Sequence, residues 1–197
     1  MVTEDNRCLM SNGTIYAFAP SGLTSYARED CTAVDGAFVS CYSLTSIDFP
    51  NCSYVDNYAF HYCKSLTNVN IPNCTSVGIY TFGSCWSLTS IDLPKCTNVG
   101  YGAFQSCIRL TNVNLPNCTT VNTYAFYNCS SLTSIDLPSC TSVSFAAFGG
   151  CSSLTSVNIP NCKTVGESAF GYCSSLTSID LPNCTTVWTR AFYNCRS

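Results

Sequence analysis

Charged side chains are scarce in this sequence. They make up 10% of its 197 residues, and the 8 Lys and Arg residues are scattered along the chain. A nucleic-acid backbone is bound by clustered basic side chains, which this distribution does not supply. We therefore expect no nucleic acid partner, and a surface built mainly from Ser, Thr, Asn and Tyr.

Long apolar runs are also missing. No stretch approaches the roughly 20 residues that a membrane-spanning helix needs. Residues 1–7 contain no apolar core of a signal peptide. We therefore expect no membrane insertion and identify no signal peptide in this chain. Two interpretations stay open: a cytoplasmic protein, or one from which an export signal has been removed.

Histidine is nearly absent, and the cysteines are not spaced as metal ligands. His61 is the single histidine, and no Cys-x-x-Cys pair occurs among the 17 cysteines. The usual ligand spacing of zinc sites is therefore missing. The sequence also offers no Ser-His-Asp or Cys-His-Asn set for nucleophilic catalysis. We expect a protein that is not an enzyme, with no catalytic, cofactor-binding or metal-binding residues.

The sequence repeats with one fixed period. A phenylalanine and a cysteine recur once per period without exception, at Phe38, Phe60, Phe82, Phe104, Phe126, Phe148, Phe170 and Phe192 and at Cys41, Cys63, Cys85, Cys107, Cys129, Cys151, Cys173 and Cys195. Such a period is typical of a solenoid, in which each repeat packs only on its neighbours. We predict a single continuous domain, with a cap and a degenerate first repeat in residues 1–43 and seven 22-residue repeats in residues 44–197.

Residues 44–65 show the pattern of one repeat. Ile47 and Phe49 alternate with polar residues, which predicts a strand with one buried face, and Pro50 ends that strand. Residues 59–63 have helix-like apolar spacing over about one turn. We therefore predict an α/β repeat solenoid with a curved parallel β-sheet on one face and short α- or 3₁₀-turns on the other.

A second column of cysteines lies eleven residues along the chain from the column that contains Cys41. Its members are Cys31, Cys52, Cys74, Cys96, Cys118, Cys140, Cys162 and Cys184. Stacked coils favour small, buried, apolar side chains at both columns. Disulfides between coils are an alternative, because stacked strands place equivalent Cα atoms about 4.8 Å apart, although parallel side chains suit the disulfide dihedral poorly. Metal binding is a third interpretation.

Two motifs carry a family resemblance. The spacing L-x-x-I-x-F-x-x-C at residues 44–52 resembles the leucine-rich repeat. The motif A-F-x-x-C at residues 59–63 resembles the bacterial-surface class of that repeat, called BspA-like or Treponema-type, and it recurs with one exception, Thr81 in place of Ala. Residues 7–24 look like the lead-in of such proteins from gut Bacteroidetes. The resemblance implies a cell-surface or secreted location and an adhesin-type role toward host or microbial proteins.

The two ends of the chain carry different predictions. Asn12-Gly13 between two apolar segments predicts a tight β-hairpin, which we expect to cap the solenoid. No such cap is visible near residue 197. We therefore expect either further chain beyond it or a homodimer through the C-terminal end, which presents apolar side chains on its last coil, namely Leu176, Ile179, Leu181, Val187 and Phe192.

The first candidate binding surface is the polar side of the predicted strands. Asp and Asn alternate there from one repeat to the next, at Asp48, Asn70, Asp92, Asn114, Asp136, Asn158 and Asp180. Alternation keeps like charges apart and lets Asn bridge neighbouring Asp residues. Three interpretations stay open: a solvated polar ladder, a surface for a repetitive partner, or a calcium ladder, which would have few oxygen ligands.

The second candidate surface is the outer face, where the repeats differ most. Its variable positions are rich in aromatic residues, at Tyr58, Tyr62, Tyr80, Trp86, Tyr101, Tyr124, Tyr127, Tyr172 and Trp188. A constant frame that carries variable Tyr and Trp is typical of recognition surfaces, where these side chains anchor a partner at small entropic cost. The alternative is that these positions are exposed to solvent and vary by simple sequence drift, without a role in binding.

The sequence therefore favours a non-catalytic protein-binding scaffold that recognises an extracellular host protein or a microbial protein. The competing hypothesis is a structural protein that assembles through its C-terminal end. An enzyme is the least compatible class, because a solenoid offers an extended surface without an enclosed pocket.

Overall fold

The chain winds into a parallel β-solenoid with coils of about 22 residues. This structure is a computed structural model, and it describes residues 8–18 and 22–196. Ser46 of one coil pairs with Asn68, which holds the equivalent position in the next coil. Residues 1–7, 19–21 and 197, which include part of the predicted lead-in, lie outside the described residues.

One side of the solenoid is a continuous ten-stranded sheet. Its strands are β1 (Cys8–Ser11), β2 (Thr14–Phe18), β4 (Ala33–Val34), β6 (Tyr54–Val55), β8 (Ser76–Val77), β10 (Asn98–Val99), β12 (Thr120–Val121), β14 (Ser142–Val143), β16 (Thr164–Val165) and β17 (Thr186–Val187). All pairs after β1–β2 are parallel. The prediction of a sheet on one face alone was wrong. The sequence did not indicate this second sheet, because each of its strands after β2 has only two residues, too few to show an alternating pattern.

A second side, the strand face, carries the strands that the sequence predicted. They are β3 (Ser25–Ala27), β5 (Ser46–Asp48), β7 (Asn68–Asn70), β9 (Ser90–Asp92), β11 (Asn112–Asn114), β13 (Ser134–Asp136) and β15 (Ser156–Asn158). The middle residue of each strand points toward the core, and its neighbours are polar except for Ala27 of β3. These strands pair in parallel but form three separate small sheets.

The third side, the outer face, is built from turns, so the predicted short helices are not there. Within residues 8–18 and 22–196 no helix occurs, and hence none that could cross a membrane. Every second backbone N–H group of these turns donates to a carbonyl of the next coil: Tyr58 N donates to Ile79 O at 2.7 Å and Phe60 N to Thr81 O at 2.8 Å. The groups between them bond three residues back, as His61 N does to Tyr58 O. A helix needs consecutive local bonds, which stacking here diverts to the next coil.

Two left-handed residues per coil accompany these turns. Their φ angles lie between 47° and 76° at Gly36, Tyr58, Tyr80, Gly102, Tyr124, Ala146, Ser168 and Arg190, and at Ser40, Tyr62, Ser84, Ser106, Asn128, Gly150, Tyr172 and Asn194. For residues other than glycine this conformation costs roughly 1–2 kcal/mol. Stacking against the neighbouring coils imposes it, since the same two positions are left-handed whatever residue occupies them.

Ser106 offers a direct test of that strain. We expect Ser106→Gly to raise the free energy of unfolding by about 0.5–1 kcal/mol, because glycine adopts φ 58° without the clash of a Cβ atom. The matched control is Ser134→Gly within β13, where glycine should lower stability by about 0.5–1 kcal/mol. Urea denaturation measures both changes. Destabilisation of similar size in both variants would contradict the assignment of strain.

The core consists of side-chain columns that run along the solenoid. The rings of the 22-residue phenylalanine column stack with centroids 5.1–5.6 Å apart and with interplanar angles of 1–15°. Columns of Leu, Val and Cys flank them, almost all without exposure in the inner coils. Stacked aromatic pairs add about 0.5–1.5 kcal/mol each beyond the area that they bury. The continuous core predicted from the 22-residue period is confirmed.

The predicted hairpin is present at the start of the solenoid. β1 and β2 pair antiparallel around Asn12 and Gly13, whose φ angles are 49° and 78°. β2 then pairs in parallel with β4, so the hairpin extends the ten-stranded sheet. In the irregular first coil, Tyr26 of β3 packs against Phe38 with ring centroids 5.8 Å apart. The division of the chain at residue 44 stays a prediction.

The last coil is more open than the inner coils, but less than the sequence predicted. Val187 is 52% exposed, whereas Val165 one coil earlier is fully buried. Ile179, Leu181 and Phe192 are only half-buried. Leu176 was wrongly placed in this group: it is 4% exposed. Its N–H bonds to Cys173 O at 3.1 Å, the same local turn that Leu154 N makes with Cys151 O one coil earlier.

Candidate functional site

The outer face carries a continuous row of aromatic side chains from five successive coils. We call it the aromatic ridge: Tyr58, Tyr80, Tyr101, Tyr124 and Phe145. Successive ring centroids lie 5.7, 5.3, 5.5 and 5.3 Å apart. Three of the rings are substantially exposed, Tyr58 at 45%, Tyr101 at 38% and Phe145 at 39%. Tyr127 joins the ridge through Tyr124 at 5.2 Å.

Glycines in the following coil make room for these rings. A Cβ atom on Gly102 would stand 2.5 Å from Cε1 of Tyr80, and one on Gly149 would stand 3.0 Å from the ring of Tyr127. In both cases the glycine holds the position of the aromatic residue one repeat later. Sequence reasoning counted these glycines only as variable surface positions. An aromatic residue followed one period later by glycine is the signal that could have shown their role.

His61 lies inside one end of the ridge. Its ring centroid is 5.7 Å from that of Tyr58, 5.5 Å from that of Tyr80 and 4.1 Å from that of Tyr62. Burial lowers its pKa below the usual value. Within the described part of the chain, its buried Nδ1 makes no hydrogen bond. His61 is therefore a packing element of the ridge.

Two tyrosines of the ridge, Tyr80 and Tyr124, have a pKa above the usual value. Burial, with a hydrogen bond to Tyr101, raises the pKa of Tyr80 to about 12. Burial also raises the pKa of Tyr124. Tyrosine hydroxyls are protonated at neutral pH, so the ridge presents neutral rings and hydrogen-bonding hydroxyls to a partner. Because Tyr80 stays neutral to a higher pH in the folded state than in the unfolded chain, its contribution to the free energy of unfolding is lost as the pH rises from about 10 toward 12.

A second aromatic cluster surrounds Lys64. Its ammonium nitrogen lies 4.2 Å from the ring centroid of Trp86, 5.3 Å from that of Tyr42 and 5.9 Å from that of Tyr62. These distances fit cation–π contacts, which are worth about 0.5–1 kcal/mol each at exposed sites. Tyr62 also touches His61, so this cluster adjoins the ridge. The sequence predicted Tyr62 and Trp86 as site residues but missed Tyr42 and Lys64.

The two remaining predicted aromatic residues lie apart from the ridge. Tyr172 contacts Tyr193 at 5.5 Å, edge to face, in the last two coils. Trp188 is 58% exposed in the last coil. The nine predicted outer-face residues therefore divide into the ridge, the cluster around Lys64 and this C-terminal group.

The predicted Asp and Asn ladder on the strand face is organised in pairs. Each Asn donates to the Asp of the coil before it: Asn70 to Asp48 at 2.7 Å, Asn114 to Asp92 at 2.7 Å, and Asn158 to Asp136 at 2.8 Å. The bridging by Asn that the alternation predicted is therefore present. Asp180 faces Asn158 through an isolated bridge between their backbones.

Backbone pairing on this face is interrupted at two places. β5 pairs with β3 and β7, β9 with β11 and β13 with β15, whereas no ladder joins β7 to β9 or β11 to β13 in the described coils. An open groove of about 540 Å³ lies across β9, β11 and β13. Its lining includes Val113, Pro116 and Pro138 together with Asp92 and Asp136. Val113 is half-buried there, while the Ile residues of the flanking strands are buried.

Comparison with known families identifies the repeat. The model of the BspA type leucine rich repeat region matches residues 32–142 and 75–197, with six copies. The chain belongs to the BspA-type leucine-rich repeat family. None of the curated proteins compared with it matches.

Solved structures show the same fold as this BspA-type protein at low sequence identity. A leucine-rich repeat protein of T. pallidum is 23% identical over 90% of this chain and 87% of its own, with a TM-score of 0.70. One from Bacteroides ovatus is 24% identical over 91% of this chain and 52% of its own, with a TM-score of 0.68. One from Eubacterium ventriosum is 20% identical over 98% of this chain and 51% of its own, with a TM-score of 0.67. The chain thus spans about half the length of the last two.

The cysteines of this BspA-type solenoid are free thiols wherever the structure describes their side chains. In the column that follows phenylalanine, each Sγ from Cys63 onward donates to a phenylalanine carbonyl of the coil before, at 3.0–3.2 Å. Phe60 O, for example, accepts from both Cys63 N at 3.0 Å and Cys85 Sγ at 3.2 Å. The thiol thus satisfies a second lone pair of a buried carbonyl.

The second column bonds within its own coil. Each Sγ donates to the carbonyl two residues later, as Cys118 does to Thr120 at 3.3 Å. Among the described residues there is no group of three or more His, Cys, Asp or Glu that could hold a metal ion. Burial raises the pKa of Cys107 to about 12 and that of Cys85 well above its usual value. The structure therefore favours the first of the three interpretations, buried apolar thiols.

Thiol labelling tests this arrangement. In the native protein we expect a bulky aromatic disulfide reagent at pH 8 to modify Cys41, Cys184 and Cys195, which are half-buried, and to leave the 13 buried thiols unmodified. The thiolate is the reactive form, and burial disfavours it. The released chromophore counts the reacted groups, and unfolding in denaturant should expose all 17 cysteines. Rapid labelling of most thiols in the native state would contradict the structure.

Proposed function

We propose that this chain is a non-catalytic protein-binding scaffold, an adhesin-type module that recognises host or microbial proteins through its aromatic ridge. The observation that carries the proposal is the continuous contact among aromatic rings of five successive coils, three of which are exposed. Tyr anchors bury a large area on binding at small loss of side-chain entropy. Since neighbouring rings already hold one another in place, little further order is needed when a partner binds.

The chemistry of the titratable groups supports a role without catalysis. Catalytic cysteines have a lowered pKa, whereas burial raises the pKa of Cys107 and its neighbours in the column. Three tyrosine rings contact His61, and in the described part of the chain its Nδ1 makes no hydrogen bond, so no carboxylate orients it as a general base through that nitrogen. Proteins built from this type of repeat are typically non-enzymatic scaffolds.

A location at the cell surface or outside the cell is part of the proposal. BspA-type leucine-rich repeat proteins are typically surface-associated or secreted. The sparse charge and the polar Ser, Thr and Asn surface are compatible with that setting. Antibody labelling of intact cells from the source organism tests it: a signal that appears only after the cells are permeabilised would oppose the proposal.

Capture of purified extracellular-matrix and mucosal proteins tests the ridge. We expect the intact chain to retain at least one of them, and Tyr101→Ala with Phe145→Ala to weaken that capture about tenfold, as loss of anchor residues does. The matched control is Tyr172→Ala with Trp188→Ala, which removes two exposed aromatic side chains away from the ridge. Equal loss in both pairs, or no loss in the first, would oppose recognition by the ridge.

Self-association through the last coil stays a second hypothesis. The observation that favours it is the exposure of Val187, at 52%, where the equivalent Val165 is buried. Size-exclusion chromatography at several concentrations distinguishes it from a monomeric scaffold. A concentration-dependent shift to a dimer, abolished by Val187→Ser, would support it, and a monomer at all concentrations would exclude it.

A further inference from the structure

The strand face presents carboxylates at every second coil. Asp48, Asp92, Asp136 and Asp180 are all exposed, and the first three use one oxygen to accept the bond from Asn of the next coil. The second oxygen of each carboxylate is left for a partner. Paired strands lie about 4.7–4.9 Å apart, and the steps from Asp48 to Asp92 and from Asp92 to Asp136 each include one unpaired step, so these carboxylates recur roughly every 10 Å along the solenoid.

The surface between the carboxylates carries the exposed Asn114 in register with them, and apolar side chains beside it. In the groove of about 540 Å³, the half-buried Val113 and the rings of Pro116 and Pro138 lie together with Asp92 and Asp136. Lys95 donates to Asn73 at 2.6 Å and so bonds toward the preceding coil. The repeating unit of this face is therefore one charged Asp and one neutral Asn every two coils, and in the groove Val113, Pro116 and Pro138 lie beside them.

A peptide with a regular backbone can pair with successive carboxylates only if its side chains recur on one side at the interval that separates the carboxylates. A polyproline II helix has three residues per turn and a rise of about 3.1 Å per residue, hence about 9.3 Å per turn. An extended strand repeats on one side every two residues, about 6.6–6.8 Å, and an α-helix about every 5.4 Å. Of these three conformations, only polyproline II matches the carboxylate interval in a single step.

We propose that the strand face binds a polyproline II segment with Lys or Arg at every third position. The basic side chains pair with Asp48, Asp92, Asp136 and Asp180, and the intervening apolar residues, proline above all, lie on Val113, Pro116 and Pro138. Proline pre-orders the ligand, so little conformational entropy is lost on binding. This surface is separate from the aromatic ridge, and the inference stands independently of the function proposed for the ridge.

Peptides of equal charge and different spacing test the interval. The probe is fluorescein-labelled (Arg-Pro-Pro)₄, compared with (Arg-Pro)₄ and (Arg-Pro-Pro-Pro)₄ by fluorescence anisotropy with the full chain at low salt. We expect weak binding with an affinity about tenfold higher for the three-residue spacing, because each exposed ion pair contributes only about 0.2–1 kcal/mol. Equal affinities for the three peptides would show general electrostatic attraction and overturn the proposal.

Single neutralising substitutions locate the contact. We expect Asp92→Asn and Asp136→Asn each to weaken binding of (Arg-Pro-Pro)₄ about threefold, and Glu167→Gln, an exposed carboxylate on another side of the coil, to leave it unchanged. Tyr101→Ala should also have no effect. An equal loss with Glu167→Gln, or unchanged binding in both Asp variants, would contradict the assignment to the strand face.

Discussion

Phe126→Ala is expected to lower the free energy of unfolding by about 3–5 kcal/mol. The Phe126 ring is fully buried and stacks on both sides, with centroids 5.2 Å from those of Phe104 and Phe148. Its loss leaves a cavity that cannot be refilled, because the rings above and below are held by their own coils. In a solenoid stability is carried by contacts between neighbouring repeats, so this cavity weakens two of them at once.

Phe192→Ala is the matched control for that substitution. Phe192 is half-buried and stacks on one side, with its centroid 5.6 Å from that of Phe170. We expect roughly half the loss seen at Phe126, because only one stacked contact and a smaller buried area disappear. Urea denaturation followed by circular dichroism measures both. Similar losses at the two sites would mean that the phenylalanine column does not carry the stability of the inner coils.

Asn114→Asp is expected to lower stability by about 2 kcal/mol at low salt, from a lost hydrogen bond and a new repulsion. Asn114 donates to Asp92 at 2.7 Å, and the substitution removes this donor. It also places three carboxylates, Asp92, the new one and Asp136, on consecutive coils. Two exposed like charges about 4–5 Å apart repel by about 1 kcal/mol in water. Salt screens such repulsion, so the loss should shrink substantially between about 0.01 M and 1 M salt.

Asp92→Asn is the control for the effect of charge. It keeps an acceptor for Asn114 and removes one negative charge, so we expect a change within about 0.5 kcal/mol. Thermal unfolding at several salt concentrations gives both comparisons. If Asn114→Asp proved as stable as the parent, or if its loss did not depend on salt, the alternation of Asp and Asn would have no electrostatic basis.

The columns of the core could be predicted because their spacing is strict. Phe60, Cys63 and Val55 recur at a fixed interval, and a fixed interval in a solenoid means stacking in register. The hairpin at Asn12-Gly13 was equally predictable, since both residues tolerate positive φ. The bridging of Asp48 by Asn70 followed from their alternation alone.

The candidate surfaces were only partly predictable. The sequence identified most of the aromatic ridge, because aromatic residues were conspicuous in a polar, variable context. It missed Phe145, the buried position of His61 and the role of Gly102, since each depends on what lies one coil away. It also missed Lys64 between Tyr42 and Trp86, because a cation–π contact between coils has no local pattern.

The backbone conformation of the outer face depends on hydrogen bonds to the next coil and not on the local sequence. Residues 59–63 have helical spacing, but Phe60 N bonds to Thr81 O of the next coil at 2.8 Å. Once alternate N–H groups are used between coils, a helix cannot form. The left-handed φ of Tyr58 and Tyr62 follows from the same constraint, against the intrinsic preference of tyrosine.

By itself the sequence determined the length of the coil, the columns that fill the core and the alternation of charge on the strand face. These features depend on side-chain identity at a fixed period, which any in-register stack must respect. Only the tertiary structure decided the second sheet, the turns of the outer face and the division of the strand face into three small sheets. Those features depend on where each backbone N–H finds its acceptor, and here the acceptor lies in a neighbouring coil, as Asp56 N bonding to Val34 O illustrates.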